Sequence, residues 1–201
     1  MKYFVFLVLS IFLIVSCISV FNKDNSSKSS SKDFIDSISS KLKSWESADR
    51  SSAKLAPLPK ENKSAVVQVY AAALWGLRGL IADHTWISTK ANEADSYTVY
   101  EVLGWRKAMG YDSVVRIEKD IPDRLWYGKK PRLLIDLRGK KAEKLINKIH
   151  KAAGKYPYKN KYVMLGPNSN TFTAWIACQV PELNLKLSKR AIGKSYLKTC
   201  S

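Results

Sequence analysis

The chain has 201 residues, of which 46% are hydrophobic, and 34 lysines and arginines against 17 acidic residues give it a formal net charge of +17. This length is typical of one domain, and the apolar fraction excludes a fibrous or wholly disordered protein. The two histidines do not combine with cysteines and carboxylates at metal-ligand spacing, so no metal site is expected. The sequence also lacks the glycine-rich phosphate loops of nucleotide-binding proteins. We therefore expect no cofactor.

The first 16 residues have the pattern of a bacterial signal peptide. Lys2 precedes an apolar run from 3 to 15, which only Ser10 interrupts, and Ser16 stands before Cys17. This is the charged, apolar and small-residue order of exported proteins. The segment 14–17, Ile-Val-Ser-Cys, resembles a bacterial lipobox, whose cysteine receives a diacylglyceryl thioether before cleavage. By that resemblance Cys17 is the lipidated N-terminus of the mature protein.

An uncleaved membrane anchor is the alternative for this segment. Residues 3–21 are 19 in number, close to the roughly 20 that a spanning helix needs. Both interpretations hold the rest of the chain at a membrane, on the extracytoplasmic side of the bacterial cell envelope.

The positive charge indicates a class of partner once export is considered. Removal of residues 1–16 deletes Lys2, so the mature formal charge is 17 − 1 = +16. An exported protein meets anionic lipid and acidic envelope polymers rather than nucleic acid, and juxtamembrane lysines and arginines bind anionic surfaces. The alternative is a merely solvated surface. The sequence does not indicate an oligomeric state.

Two cysteines remain beyond Cys17, namely Cys178 and Cys200. An oxidising compartment would allow them to pair. Cys178 also falls in an apolar helical pattern, where a buried free thiol is the alternative.

Three regions follow from the composition. The polar run 22–32 is a flexible tether, and the apolar spacing between Asp33 and Ala48 predicts a short amphipathic helix. A second polar stretch with Pro57 and Pro59 runs to Ser64. We therefore expect a signal peptide at 1–16, a lipidated N-terminus and tether at 17–64, and a globular domain at 65–201.

Short β-branched and aromatic runs predict five strands in the first part of that domain, at 66–70, 83–89, 97–105, 114–118 and 132–137. Apolar residues at helical spacing then predict a helix from Ala142 to Gly154. A second helix opens at Gly166–Asn170 and ends at Pro181. Strands followed by helices predict an α+β fold, with a small antiparallel sheet packed against helices.

The candidate chemistry consists of a hydroxyl nucleophile and a histidine base. His84 lies in the second predicted strand on the same face as Trp86, whereas Asp83 and Thr85 point to the other face. Ser169 lies at a predicted helix start, where free backbone N–H groups can stabilise an oxyanion. The structural alternatives are a buried strand histidine and an ordinary N-cap, for which asparagine and serine are preferred.

Several strings of the sequence resemble known families. The strings His84-Thr85-Trp86-Ile87 and Gly166-Pro167-Asn168-Ser169-Asn170-Thr171-Phe172, with others between residues 65 and 197, resemble the uncharacterised bacterial family called domain of unknown function 3750. More distantly, the strand histidine followed by the Asn-Ser-Asn helix start is similar to circularly permuted papain-like proteins. That resemblance implies a permuted papain-like fold with His84 as base and a nucleophile at position 169.

Ser169 departs from that pattern, because the papain-like enzymes carry a cysteine there. Serine has no accessible ionised form, so attack requires His84 to remove its proton and a third group to orient the imidazole. Tyr100 or Glu101 on the next strand is the candidate orienting group.

Three functions remain open. The first is a degenerate papain-like domain that binds without catalysis, with Asn168, Asn170 and Trp86 as binding residues. The second is a hydrolase or acyltransferase that acts on an amide or ester through Ser169 and His84. The third is a purely structural envelope lipoprotein. The tryptophans could line a binding groove, and the alternative is that they pack in the hydrophobic core.

Overall fold

A computed structural model describes residues 47–197 of the protein. The predicted signal peptide, Cys17, the predicted tether at 22–32 and Cys200 lie outside the described residues, as does the predicted Asp33–Ala48 helix except for its last two positions. Among the described residues, no helix combines the length and apolar character needed to cross a membrane.

Five strands form one antiparallel sheet. They are β1 (Val66–Ala73), β2 (Asp83–Lys90), β3 (Thr98–Val102), β4 (Val115–Lys119) and β5 (Arg132–Arg138). Their order is β4-β3-β2-β1-β5, and every neighbouring pair is antiparallel. The strand that carries His84 is therefore third of five and paired on both sides.

Three α-helices accompany the sheet within residues 47–197. They are α1 (Trp105–Ala108), α2 (Lys140–Gly154) and α3 (Ser169–Gln179), and short 3₁₀ turns occupy Gly76–Leu80 and Pro181–Leu183. The predicted α+β class with a small antiparallel sheet is confirmed.

The sheet has a core on each face. The larger core joins residues such as Val69, Ile87 and Tyr100 to Ile149 of α2 and Phe172 of α3. The smaller core, on the other face, is aromatic and contains Tyr70, Ala72, Trp86, Val99, Leu103 and Trp126. Because both faces are covered, all eight residues of β2 are buried.

The element bounds differ from the sequence predictions by three residues at two places and by one or two residues elsewhere. The third strand ends at Val102 rather than at Trp105, because the chain turns into α1 there. The first strand continues to Ala73, three residues beyond its predicted end. Alanine residues at 71–73 carry little β-propensity of their own, so the pairing with β2 extends this strand.

The globular unit begins at Ala48, before the predicted boundary at 65. The carboxylate of Asp123 accepts hydrogen bonds from the backbone N–H groups of Leu55 and Ala56, the latter at 3.0 Å. The Tyr97 hydroxyl donates to the carbonyl of Pro57 at 2.8 Å. These bonds attach a polar, proline-containing stretch to the domain although its composition resembles a tether.

Cys178, near the end of α3, is disulfide-bonded. The free thiol that the sequence allows at this position is therefore wrong. The partner of Cys178 lies outside the described residues, so the described residues do not test a pairing with Cys200.

Candidate functional site

Strand β2 sends alternate side chains to opposite faces of the sheet. Thr85 points toward α3, where its hydroxyl lies 2.9 Å from Oδ1 of Asn170 and 3.0 Å from the hydroxyl of Thr173. The neighbouring residues His84 and Trp86 therefore point away from α3. They enter the aromatic layer on the far side of the sheet, as the sequence predicts for their shared face.

His84 is fixed in that layer by stacking and by one hydrogen bond. Its ring lies parallel to Trp126 with 3.5 Å between centroids, and Trp86 tilts against it at 5.7 Å. Its Nε2 lies 3.3 Å from Oε2 of Glu101. An ionised carboxylate can only accept, so Nε2 carries the proton and Nδ1 is the basic nitrogen.

Glu101 is the centre of a buried ion-pair network. Its other oxygen, Oε1, lies 2.8 Å from Arg116 and 2.6 Å from Arg124, and its side chain is 0% exposed. Asp120 adds a second carboxylate at 2.7 Å from Arg116. At its exposed margin Glu118 pairs with Arg116 and with Arg106. The network thus has three arginines and three carboxylates, so it is close to neutral without a charge on His84.

The pKa values in this network follow from burial and neighbouring charge. Burial alone would raise the pKa of Glu101, but Arg124, His84 and Arg116 outweigh it and lower the pKa to about 2. Burial lowers the pKa of His84 below its usual value, and Glu101 only partly opposes this. Glu101 is thus ionised and His84 neutral at pH 7.

The structure distinguishes between the two candidate orienting groups. Tyr100 lies opposite Ile87 in the register of β2 and β3, and its hydroxyl lies 3.5 Å from Thr89 on the helix-packed face. Glu101, one residue later, lies on the face of His84 and contacts it. Glu101 is therefore the residue brought to His84.

The start of α3 is an intact capping box. Asn168 is the N-cap, and its side-chain oxygen accepts hydrogen bonds from the N–H groups of Asn170 and Thr171. The Thr171 hydroxyl in turn accepts from the Asn168 N–H at 3.1 Å. Two of the free N–H groups expected at this helix start are therefore occupied by the cap.

Ser169 and His84 are not brought together. Ser169 is the first residue of α3, on the face of the sheet that Thr85 contacts, and the Thr85 hydroxyl lies 3.5 Å from its carbonyl oxygen. The His84 ring lies among Trp86, Trp126 and Glu101 on the opposite face. The sheet separates the predicted nucleophile from the predicted base.

The three predicted binding residues have partners inside the domain. Asn168 donates to the carbonyls of Met164 and Ile192, and Asn170 donates to those of Asp83 and Ile192. Trp86 is 0% exposed, and its indole N–H donates to the Pro122 carbonyl at 2.8 Å. Each side chain holds one part of the domain to another.

Sequence reasoning missed a second ion-pair cluster next to the start of α3. The Asp83 side chain is 0% exposed, and it lies 2.6 Å from Arg132 and 3.1 Å from Arg190. Strand alternation had placed Asp83 on the face opposite His84. The two arginines come from distant parts of the chain, so no local pattern could identify them.

No group of three or more metal-ligating side chains occurs among residues 47–197. A search of curated proteins finds no match, and a search of solved structures finds none either. One family model matches residues 64–196, a stretch that includes all five strands and all three helices. The chain therefore belongs to the family described as protein of unknown function DUF3750.

Proposed function

We propose that this protein is a membrane-anchored lipoprotein of the bacterial cell envelope, whose domain binds a ligand without catalysing a reaction. In this proposal residues 1–16 are a cleaved signal peptide, and the lipid on Cys17 holds the domain on the extracytoplasmic side. In this proposal the domain is a degenerate form of the permuted papain-like fold that its sequence resembles.

The observation that carries the non-catalytic part is the separation of His84 from Ser169 by the sheet. A general base must come within hydrogen-bond reach of the proton that it removes, about 2.6–3.2 Å or through one water. Rotation of the His84 side chain alone cannot provide this, because the residue projects from the far face of β2, where it pairs with Ala72 of β1. Glu101 and the Trp126 ring also hold the imidazole in place.

The burial of Asn168, Asn170 and Trp86 also bears on where a ligand would bind. Because their polar groups are used within the domain, a ligand would have to break those bonds to reach them. Binding is therefore proposed for the exposed, basic surface of the domain rather than for these three side chains.

Fluorophosphonate labelling of the full chain tests the non-catalytic part. We expect no covalent adduct on the wild-type protein, and the same result for the Ser169→Ala and His84→Ala variants. An adduct on Ser169 that disappears in His84→Ala would establish the hydrolase or acyltransferase alternative instead.

Mass spectrometry of the membrane-extracted protein tests the lipoprotein part. The N-terminal peptide is expected to begin at Cys17 and to carry a diacylglyceryl group. The Cys17→Ala variant should keep residues 1–16 and lack the lipid, whereas Cys200→Ser should be lipidated normally. An unmodified Cys17 within an intact N-terminus would support the uncleaved anchor.

A further inference from the structure

Two loops at one edge of the domain expose large apolar side chains. Leu77, Leu80 and Ile81, between β1 and β2, are 84%, 72% and 68% exposed. Met164 and Leu165, before α3, are 56% and 73% exposed. We call these five residues the apolar rim. Single exposed apolar residues are ordinary, but a group of five at loop tips marks an interaction surface.

Hydrogen bonds hold both loops against the same short segment of chain. The Arg190 guanidinium donates to the carbonyls of Gly79 and Leu80 at 2.7 and 2.6 Å. Two residues further on, the Ile192 carbonyl accepts from Asn168 at 3.0 Å, and the same Asn168 amide group donates to Met164 at 2.8 Å. The two parts of the apolar rim therefore belong to one edge of the domain.

The segments that form this edge are strongly basic. The three segments that build this edge, 74–83, 159–168 and 186–197, contain one acidic residue, Asp83, and its side chain is 0% exposed and paired with arginines. The same three segments contain seven cationic residues: Arg78, Lys159, Lys161, Lys186, Lys189, Arg190 and Lys194.

We propose that the apolar rim docks this edge onto an anionic lipid surface. Apolar side chains at loop tips enter the boundary between head groups and acyl chains, while neighbouring cations bind anionic head groups. Arg78 stands between Leu77 and Leu80, where its long side chain can reach the head groups beside an inserted leucine.

Two further observations favour lipid over a protein partner. Tyr162 and Tyr196, 41% and 37% exposed, flank the edge, and tyrosine is enriched at membrane–water interfaces. The core of a protein interface is depleted in lysine, whereas this edge carries five lysines. The proposal rests on the membrane anchoring proposed above and names the surface that the anchored domain binds.

Hydrogen exchange of the lipidated full chain on vesicles tests the proposal. The protein is reconstituted in vesicles of phosphatidylcholine alone and of phosphatidylcholine with phosphatidylglycerol. The lipid anchor is present on both, so it does not account for a difference. Amides of 76–81 and 162–166 should exchange more slowly on the anionic vesicles, and added salt should reduce the effect.

Two variants test whether the protection from exchange depends on the apolar rim and on its positive charge. Leu80→Ser with Ile81→Ser should abolish the protection, and Arg78→Gln should lower it about fivefold, the change for one basic residue near an anionic surface. Leu58→Ser with Ile121→Ser is the matched control, because both residues are exposed, at 50% and 41%, outside these segments. This control should retain full protection.

The outcomes separate this inference from the proposed function. Equal exchange on both vesicle types, with the protein still anchored, overturns the lipid-docking proposal and leaves a protein partner as the occupant of the apolar rim. If instead the purified wild-type protein carries no lipid on Cys17 and does not stay on either type of vesicle, the anchoring proposal is overturned.

Discussion

His84 and Glu101 contact each other between β2 and β3, with Nε2 of the histidine 3.3 Å from Oε2 of the glutamate and both side chains buried. This is the geometry of a base with its orienting carboxylate. However, the pair lies on the face of the sheet away from Ser169, and Glu101 also binds Arg116 and Arg124. The contact is therefore a structural link between the strands and the 120–126 segment.

Replacement of Glu101 is the first test of that structural role. Glu101→Gln keeps the shape of the side chain but leaves two arginines without their shared carboxylate. Loss of one partner of a buried ion pair costs about 3–5 kcal/mol. We expect the free energy of unfolding of the full chain, measured by urea titration, to fall by about that amount.

Glu118 is the matched control for this prediction. It also pairs with Arg116, at 3.0 Å, but its side chain is 52% exposed. Glu118→Gln should change the free energy of unfolding by less than about 1 kcal/mol, as exposed ion pairs do. Equal costs for the two variants would show that the burial of Glu101 is unimportant.

The pH dependence of stability should report the burial of His84. Its pKa lies below 6.5 in the folded protein, so the unfolded chain takes up a proton first as the pH falls. Stability should therefore be constant above about pH 7 and decrease below 6.5, by up to about 1.4 kcal/mol per pH unit. Glu101, with a folded pKa of about 2, adds a further loss only below its ordinary value of 4.5.

Removal of the imidazole provides the control. His84→Phe should flatten the dependence between pH 5.5 and 7. An identical slope in wild type and His84→Phe would mean that His84 does not cause the decrease.

Local patterns in the sequence were sufficient to predict the sheet strands and α2. The apolar residues of 142–153 recur at helical spacing and predict a helix with one buried side, and Ala142, Leu145 and Ile149 are among the residues that α2 buries. The shared face of His84 and Trp86 also follows from strand alternation. These features depend on neighbours within a few positions of each residue.

The relation of His84 to Ser169 depends on tertiary packing. Because every residue of β2 is buried, its pattern does not show which face α3 covers. The resemblance of the α3 start to that of the papain-like enzymes therefore predicted a pair, His84 and Ser169, whose members lie on opposite faces of the sheet. The choice between Tyr100 and Glu101 required the β2–β3 register, which no short segment encodes.

The disulfide of Cys178 leads to a prediction about its partner. If Cys17 carries a lipid thioether, Cys200 is the only other cysteine of the chain. Non-reducing peptide mapping should therefore find a Cys178–Cys200 linkage. The link spans 200 − 178 = 22 positions, and a loop of that size stabilises a fold by about 3 kcal/mol in the chain-entropy model. A linkage of Cys178 to Cys17 would contradict the lipoprotein proposal as well.

Asn168 is both the N-cap of α3 and a hydrogen-bond donor to two backbone carbonyls, and Asn168→Asp separates these two roles. Aspartate is as good an N-cap as asparagine, so the bonds from Asn170 and Thr171 should survive. The amide donors to Met164 and Ile192 are lost, and an oxygen then faces two carbonyls. The Ile192 carbonyl keeps the donor of Asn170, but the Met164 carbonyl loses its donor. We expect a loss of about 1–3 kcal/mol in the free energy of unfolding, the cost of an unsatisfied acceptor. If Asn168→Asp were as stable as the wild type, only the capping role of this residue would contribute to stability.

Gly193→Ala tests how tightly the same cap is packed. A Cβ at Gly193 would lie 2.5 Å from Nδ2 of Asn168, and the glycine has φ +92°. Gly110 has a similar φ of +80° with open space around it, so Gly110→Ala measures the backbone strain alone, about 1–2 kcal/mol. Thermal unfolding should show a lower midpoint for Gly193→Ala than for Gly110→Ala, because the added methyl group displaces Asn168 and weakens its bonds to Met164 and Ile192. Equal midpoints would mean that the segment around Gly193 shifts without disturbing the cap.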